Sequence, residues 1–102
     1  MAQILTNDNF EIEIQEGVCV VDFFATWCGP CKMLAPVFEE LSQEMSEAKF
    51  FKVDVDQALD IARKFSITTV PTMIIFKDGQ AVDKMIGFLP KEHIKAKVEA
   101  QL

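Results

Sequence analysis

Two thiols three residues apart, Cys28 and Cys31, are the part of this sequence best suited to chemistry. At this spacing the sulfurs can close into a small disulfide ring and open again, so the pair predicts redox chemistry. An apolar segment, residues 18–25, precedes the pair, and a helix-like pattern follows it. We therefore expect the cysteines where a strand gives way to a helix N-terminus. There, free backbone N–H groups and the helix dipole stabilise a thiolate.

A Cys-x-x-Cys pair can also supply half of a structural zinc site, which needs about four ligands. Cys19 and His93 are the only other soft ligands in the sequence. Cys19 lies in the apolar segment and is expected to be a small core residue, whereas His93 lies in a C-terminal helical pattern and is expected at the helix surface. The sequence thus favours the redox interpretation and predicts no metal site.

Asp22 is the second candidate for chemistry, because it lies among apolar residues in the segment before the cysteines. Burial of an ionised carboxylate is costly, so the pKa of Asp22 should be raised. Asp22 is therefore a candidate group for accepting and donating a proton. The alternative is a purely structural carboxylate that accepts hydrogen bonds from the backbone.

The apolar segment 18–25 is rich in β-branched and aromatic residues on both faces, which is typical of a central strand covered by helices on both sides. After the cysteines, Leu34, Phe38 and Leu41 recur at helical spacing and predict an amphipathic helix. Pro36 is predicted to kink this helix.

Residues 50–55 predict a second buried strand, and Asp56 is predicted to cap a helix over residues 58–65. Residues 10–14 alternate like a strand, yet a polar residue just before them could cap a helix, so periodicity leaves their state open.

Two further apolar runs, residues 72–76 and 81–86, flank an Asp78-Gly79 turn and predict a β-hairpin. Pro90 is predicted to open the last helix. Helix-separated strands followed by a hairpin and a helix indicate an α/β fold, a central mixed β-sheet flanked by helices on both faces, in a single domain over residues 1–102.

The composition limits the classes of function. With 102 residues, half of them apolar, the chain can form one hydrophobic core without disulfide or metal cross-links. An odd count of three cysteines argues against a disulfide framework and for a reducing compartment. A net charge of −6 argues against nucleic acid as a partner. Neither a signal-like start nor a membrane-length apolar run is found, so we expect a cytoplasmic monomer with no membrane association.

Three motifs resemble the thioredoxin family: Val-Asp-Phe-Phe-Ala-Thr-Trp-Cys-Gly-Pro-Cys-Lys-Met at residues 21–33, then Ala35-Pro36, and Val70-Pro71-Thr72. The resemblance covers almost the whole chain. It implies the thioredoxin fold, with a helix at residues 7–15, and reduction of protein disulfides by thiol–disulfide exchange. It also implies disulfide-containing protein substrates and a thioredoxin reductase as partners. No bound cofactor is implied, because the thiols are the redox group.

In the mechanism that the resemblance implies, Cys28 is the nucleophile, expected nearer to solvent, and Cys31 is the resolving thiol one turn inside the helix. Asp22 would lie beneath the disulfide and accept the proton of Cys31, directly or through water. Lys52, in the next strand, would tune Asp22.

The family also implies a docking surface for substrates. Pro71 would be cis and pack against the disulfide, which leaves the backbone of Val70 free to pair with an extended substrate segment. The expected shallow apolar surface consists of Trp27, Gly29, Pro30, Val70, Pro71 and Gly87. Two positions depart from the commonest family pattern. Phe24 stands where an aromatic residue that carries a polar group is frequent, and Thr69 stands where glycine is frequent. These departures leave partner choice open.

Two rival functions remain at this stage. An oxidase or isomerase of the same fold would donate or shuffle disulfides, but the Gly29-Pro30 dipeptide favours a reductase. A non-catalytic binding subunit would use the fold only for its shape. The intact Cys28 and Cys31 pair, together with Asp22, argues against that second rival.

Overall fold

A five-stranded mixed sheet organises the computed structural model, which describes residues 2–102. In chain order, the elements are β1 (Gln3–Leu5), α1 (Phe10–Glu13), β2 (Val18–Phe24), α2 (Gly29–Glu44), β3 (Lys49–Asp54), α3 (Leu59–Lys64), β4 (Thr72–Lys77), β5 (Gln80–Ile86) and α4 (Lys91–Glu99). The strand order is β1-β3-β2-β4-β5. Strands β1, β3 and β2 are parallel, whereas β4 and β5 run antiparallel to their neighbours.

Strand β2 is the middle of the sheet, as the sequence predicts, and its side chains alternate between two cores. Val18 and Val20 belong to a cluster with residues of α2 and α4, whereas Val21 and Phe23 belong to a cluster with residues of α1 and α3. Helices therefore cover both faces of the sheet, and the predicted α/β class is confirmed. Asp22 shares the even-numbered face of β2, which α2 covers.

The N-terminal segment resolves the ambiguity that periodicity leaves open. Residues 10–13 form α1, within the helix that the resemblance implies. Phe10 and Ile14 are buried while Ile12 is 70% exposed, which is the pattern of one helix face and not of a strand. Strand β1 has no counterpart in the sequence prediction, because three residues are too few to show a period.

The hairpin is confirmed in detail. Asp78 and Gly79 both have positive φ, 50° and 85°, as a type I′ turn requires. Strands β4 and β5 therefore meet through a two-residue connection. Helix α4 begins directly after Pro90, whose carbonyl oxygen accepts from the backbone N–H groups of His93 and Ile94.

One predicted cap is wrong. Helix α3 begins at Leu59 with Ala58 at its N-cap and without a side-chain cap. Asp54 organises the entry instead, because its carboxylate accepts from the N–H of Asp56 and its carbonyl oxygen accepts from the N–H of Ala58. The carboxylate of Asp56 is thus available for another contact.

Candidate redox site

The predicted strand-to-helix junction positions the two cysteines. Cys28 is the N-cap of the 16-residue helix α2, and Cys31 lies in its first turn. The two residues form a disulfide with their Cα atoms 5.3 Å apart. Pro30 occupies the first turn, where no intrahelical donor is lost, and α2 continues through Pro36 to Glu44.

Backbone geometry favours negative charge on Cys28. The N–H of Cys31 donates to Sγ of Cys28 over 3.1 Å, as a third-position N–H donates to a polar N-cap side chain. A thiolate at Cys28 would therefore occupy the positive end of the α2 dipole. Exposure does not separate the two cysteines, contrary to expectation, because each is only 5% exposed.

Asp22 is buried, as predicted, at 1% exposure. Neither of its carboxylate oxygens has a hydrogen-bond partner among the described residues, so the alternative of a carboxylate bonded to the backbone is not what the structure contains. Burial raises the pKa of Asp22 from 3.8 to about 7, and the positive charge of Lys52 partly opposes this rise. The carboxyl group is consequently poised to gain or lose a proton near neutral pH.

Lys52 lies directly across from Asp22, since the two residues pair in the parallel register of β2 and β3. Its ammonium group does not pair with the carboxylate. It lies over the ring of Phe24, with Nζ 4.7 Å from the ring centroid. A cavity of about 220 Å³ is lined by Phe24, Cys31 and Lys52, among others.

The loop before β4 closes the other side of the disulfide. Sγ of Cys28 lies 3.6 Å from the carbonyl oxygen of Val70. The Val70–Pro71 peptide bond is cis, as the resemblance implies. Within residues 2–102, the backbone of Val70 makes no hydrogen bond to another backbone group.

Gly87 joins this loop through a backbone hydrogen bond of 2.8 Å from its N–H to the carbonyl oxygen of Pro71. The structure thus brings Val70, Pro71 and Gly87 together beside the cysteines. Pro71 itself is buried. It therefore supports the expected docking surface from beneath, and contributes little exposed area to it.

Trp27, a member of the predicted docking surface, is 69% exposed. Its indole Nε1–H donates to Oδ2 of Asp56 over 2.8 Å, which fixes the ring orientation next to Cys28. The sequence pattern predicts a helix cap at Asp56, and no local pattern predicts this bond to Trp27. The available signal is topological, because the carboxyl ends of the parallel strands β2 and β3 meet at one edge of the sheet.

Cys19 and His93 lie away from the cysteine pair. Cys19 is a fully buried residue of the α1 and α3 core, and His93 is an exposed residue of α4. The described residues contain no group of three or more His, Cys, Asp or Glu side chains placed to hold a metal ion. Over the same residues, no helix is both long and apolar enough to cross a membrane.

Comparison with known proteins gives consistent matches. The thioredoxin family model matches residues 1–100. Thioredoxin of Staphylococcus saprophyticus is 50% identical over 99 residues, which are 96% of this chain and 95% of that protein. Thioredoxin of Staphylococcus aureus is 46% identical over the same shares of the two chains.

A solved structure described as an initial structural analysis of Plasmodium falciparum thioredoxin superimposes with a TM-score of 0.92 at 37% identity. The superposition covers 99% of this chain and 100% of the Plasmodium falciparum chain. The similarity therefore spans nearly the whole length of both molecules.

Proposed function

This chain belongs to the thioredoxin family and is a protein-disulfide reductase, and from that premise we propose how its own residues divide the reaction. Its substrates are proteins that contain disulfides, and a reductase restores its dithiol form. The redox group is the Cys28–Cys31 pair, and we propose that no bound cofactor is needed.

Cys28 is the nucleophile. As a thiolate it attacks one sulfur of a substrate disulfide, so that a bond forms between Cys28 and the substrate while the substrate's own S–S bond breaks. The other substrate sulfur leaves as a thiolate. The observation that carries this assignment is the hydrogen bond from the N–H of Cys31 to Sγ of Cys28 at the N-terminus of α2.

Cys31 is the resolving thiol. It transfers its proton to Asp22 and attacks Sγ of Cys28, which releases the second substrate sulfur as a thiolate. Two electrons have then passed to the substrate, and the protein holds the Cys28–Cys31 disulfide. The pKa of Asp22, raised to about 7, supports its role as proton acceptor, and Lys52 limits that rise.

The substrate docks over the surface formed by Trp27, Gly29 and Pro30 and by the loops that contain Val70 and Gly87. The backbone of Val70 supports this proposal, because its carbonyl oxygen lies 3.6 Å from Sγ of Cys28 and its backbone groups have no backbone partner in the described chain. An extended substrate segment can pair with them in a manner that tolerates many sequences.

We further propose that the protein works as a monomer in the cytoplasm. Its net charge of −6 supports a protein partner over nucleic acid. The preference for a reducing compartment rests on the count of three cysteines, of which Cys19 is buried and unpaired. We propose no membrane partner.

Trapping variants test the division of roles, with insulin as the disulfide-containing protein. Cys31→Ser should accumulate a mixed disulfide through Cys28, because resolution is blocked, whereas Cys28→Ser should form little or none. Equal trapping by both variants would refute the assignment. A double Cys28→Ser/Cys31→Ser variant is the matched control for non-specific capture.

The redox midpoint tests the direction of electron flow. Trp27 adjoins Cys28, so its fluorescence can follow equilibration with dithiol and disulfide buffers of known potential. A midpoint potential of about −270 mV is expected for a reductase, whereas a value of roughly −120 to −180 mV would indicate an oxidase or isomerase.

A further inference from the structure

The ammonium group of Lys52 lies over the aromatic ring of Phe24. Nζ of Lys52 lies 4.7 Å from the centroid of that ring, within the range of a cation–π interaction. Both side chains are half-buried. Desolvation strengthens such a contact relative to one on an open surface.

No carboxylate competes for this ammonium group. Lys52 forms no ion pair within the described part of the chain, and both oxygens of Asp22 are without a hydrogen-bond partner there. A lysine has a flexible four-carbon stem and a strongly hydrated head, so without the ring its charge would favour water. The Phe24 ring is the one contact described for this charge.

Strand register makes this position relevant to the redox site. Phe24 follows Asp22 by two residues and so shares its face of β2, while Lys52 pairs with Asp22 across the sheet. The cavity of about 220 Å³ is lined by Phe24, Lys52 and Cys31. Phe24, Lys52 and Cys31 thus border one space.

We propose that Phe24 is a positioning residue of the redox site, whose ring holds the Lys52 ammonium beside the Cys31 cavity, within electrostatic reach of Asp22 but not in contact with it. The inference rests on the proposed role of Asp22 as proton acceptor and on the influence of Lys52 upon it. It adds that this influence depends on an aromatic ring at position 24.

Strand β4 places uncharged Met73 opposite Asp22, and the charged Lys32 of α2 lines the same cavity as Lys52 and Cys31. Asp54 pairs in register with Phe24. Measurement in the disulfide form removes Cys28 and Cys31 from the titration, so the carboxyl group can be followed without coupling to either of these thiols.

The test is a double-mutant cycle read by NMR titration of the ¹³Cγ resonance of Asp22 in the oxidised protein. Phe24→Leu keeps an apolar side chain and removes the ring. It should raise the pKa of Asp22 by about 0.5 unit, roughly a threefold change in the ionisation constant. Phe24→Tyr keeps the ring face and should leave the pKa unchanged, and Phe24→Met serves as a second ring-free variant if Phe24→Leu folds poorly.

Lys52→Met separates this inference from the proposed function. It should raise the pKa of Asp22 by itself, and Phe24→Leu should then add nothing in the Lys52→Met background. If Lys52→Met has no effect, the proposed influence of Lys52 is wrong. Suppose instead that Lys52→Met does raise the pKa of Asp22. The positioning role of Phe24 is then refuted if Phe24→Leu lowers this pKa, leaves it unchanged, or shifts it equally with Lys52 and with Met at position 52.

Discussion

Replacement of Asp22 by Asn should change how the stability of this protein depends on pH. Asp22 is 1% exposed, and its oxygens are without hydrogen-bond partners in the described residues. Burial raises its pKa from 3.8 to about 7 in the folded protein. The unfolded chain, which exposes this carboxyl group to water, should release the proton near its ordinary pKa.

The sign follows from the order of the two pKa values. Between about pH 4 and 7 the unfolded state binds fewer protons than the folded state, so the free energy of unfolding falls as the pH rises. The shift of roughly 3 units, at about 1.4 kcal/mol per unit, amounts to a loss of roughly 4 kcal/mol by pH 8. Well below the unfolded-state pKa of 3.8 the carboxyl group is protonated in both states and the loss is absent.

Urea denaturation of the oxidised protein and of Asp22→Asn, followed by far-UV circular dichroism at pH 4, 5.5, 7 and 8, measures this effect. Asn is close to Asp in shape and does not titrate, so groups elsewhere cancel in the difference between the two proteins. The difference should grow in favour of Asp22→Asn by roughly 4 kcal/mol from pH 4 to pH 8. A difference that stays constant within about 1 kcal/mol would refute a buried carboxyl group with a raised pKa.

Three further outcomes follow from named contacts. Asp56→Ala removes the acceptor of the Trp27 indole N–H, which is 2.8 Å away, so the fluorescence anisotropy of Trp27 should fall. Asp56→Asn keeps an acceptor oxygen and should retain more of the anisotropy. Unchanged anisotropy in Asp56→Ala would show that the bond does not hold the ring. Phe38→Ala empties a fully buried position between α2 and the sheet, and thermal or urea unfolding should show a loss of about 3–5 kcal/mol. A loss below about 1 kcal/mol would mean that the core closes over the gap. Gly87→Ala places a Cβ at φ +87° with no atom within 4 Å, so backbone strain alone should cost about 1–2 kcal/mol in urea unfolding. A much larger loss would indicate a steric clash instead.

Much of the fold follows from patterns that are local in the sequence. The apolar run of β2, the amphipathic spacing of α2 and the Asp78-Gly79 turn each contain enough residues to express one period or one turn type. The bounds predicted for β2 and for the two hairpin strands agree with the structure to within about one residue. Strand β1 escapes prediction because three residues show no period, and it is a strand only because β3 lies beside it.

Local patterns also mislead where a polar residue has two available partners. Asp56 follows a strand and precedes a helix, which favours a cap, yet its carboxylate binds the Trp27 indole on a different segment. Likewise, Phe10, Ile12 and Ile14 alternate like a strand, and only packing against the sheet buries Phe10 and Ile14 while Ile12 faces solvent. The choice between such states depends on neighbours that are distant in sequence.

The chemical groups of the redox site can be read from residue type and short spacing: a thiol pair at helix-compatible spacing and a carboxyl group within an apolar strand. Both features are local in the chain. Which groups become neighbours depends on tertiary packing, because strand register sets Lys52 beside Asp22 and loop packing brings Val70 to Cys28. The placement of the Lys52 charge over Phe24, and not on Asp22, is likewise a result of burial and three-dimensional packing, which no sequence period encodes.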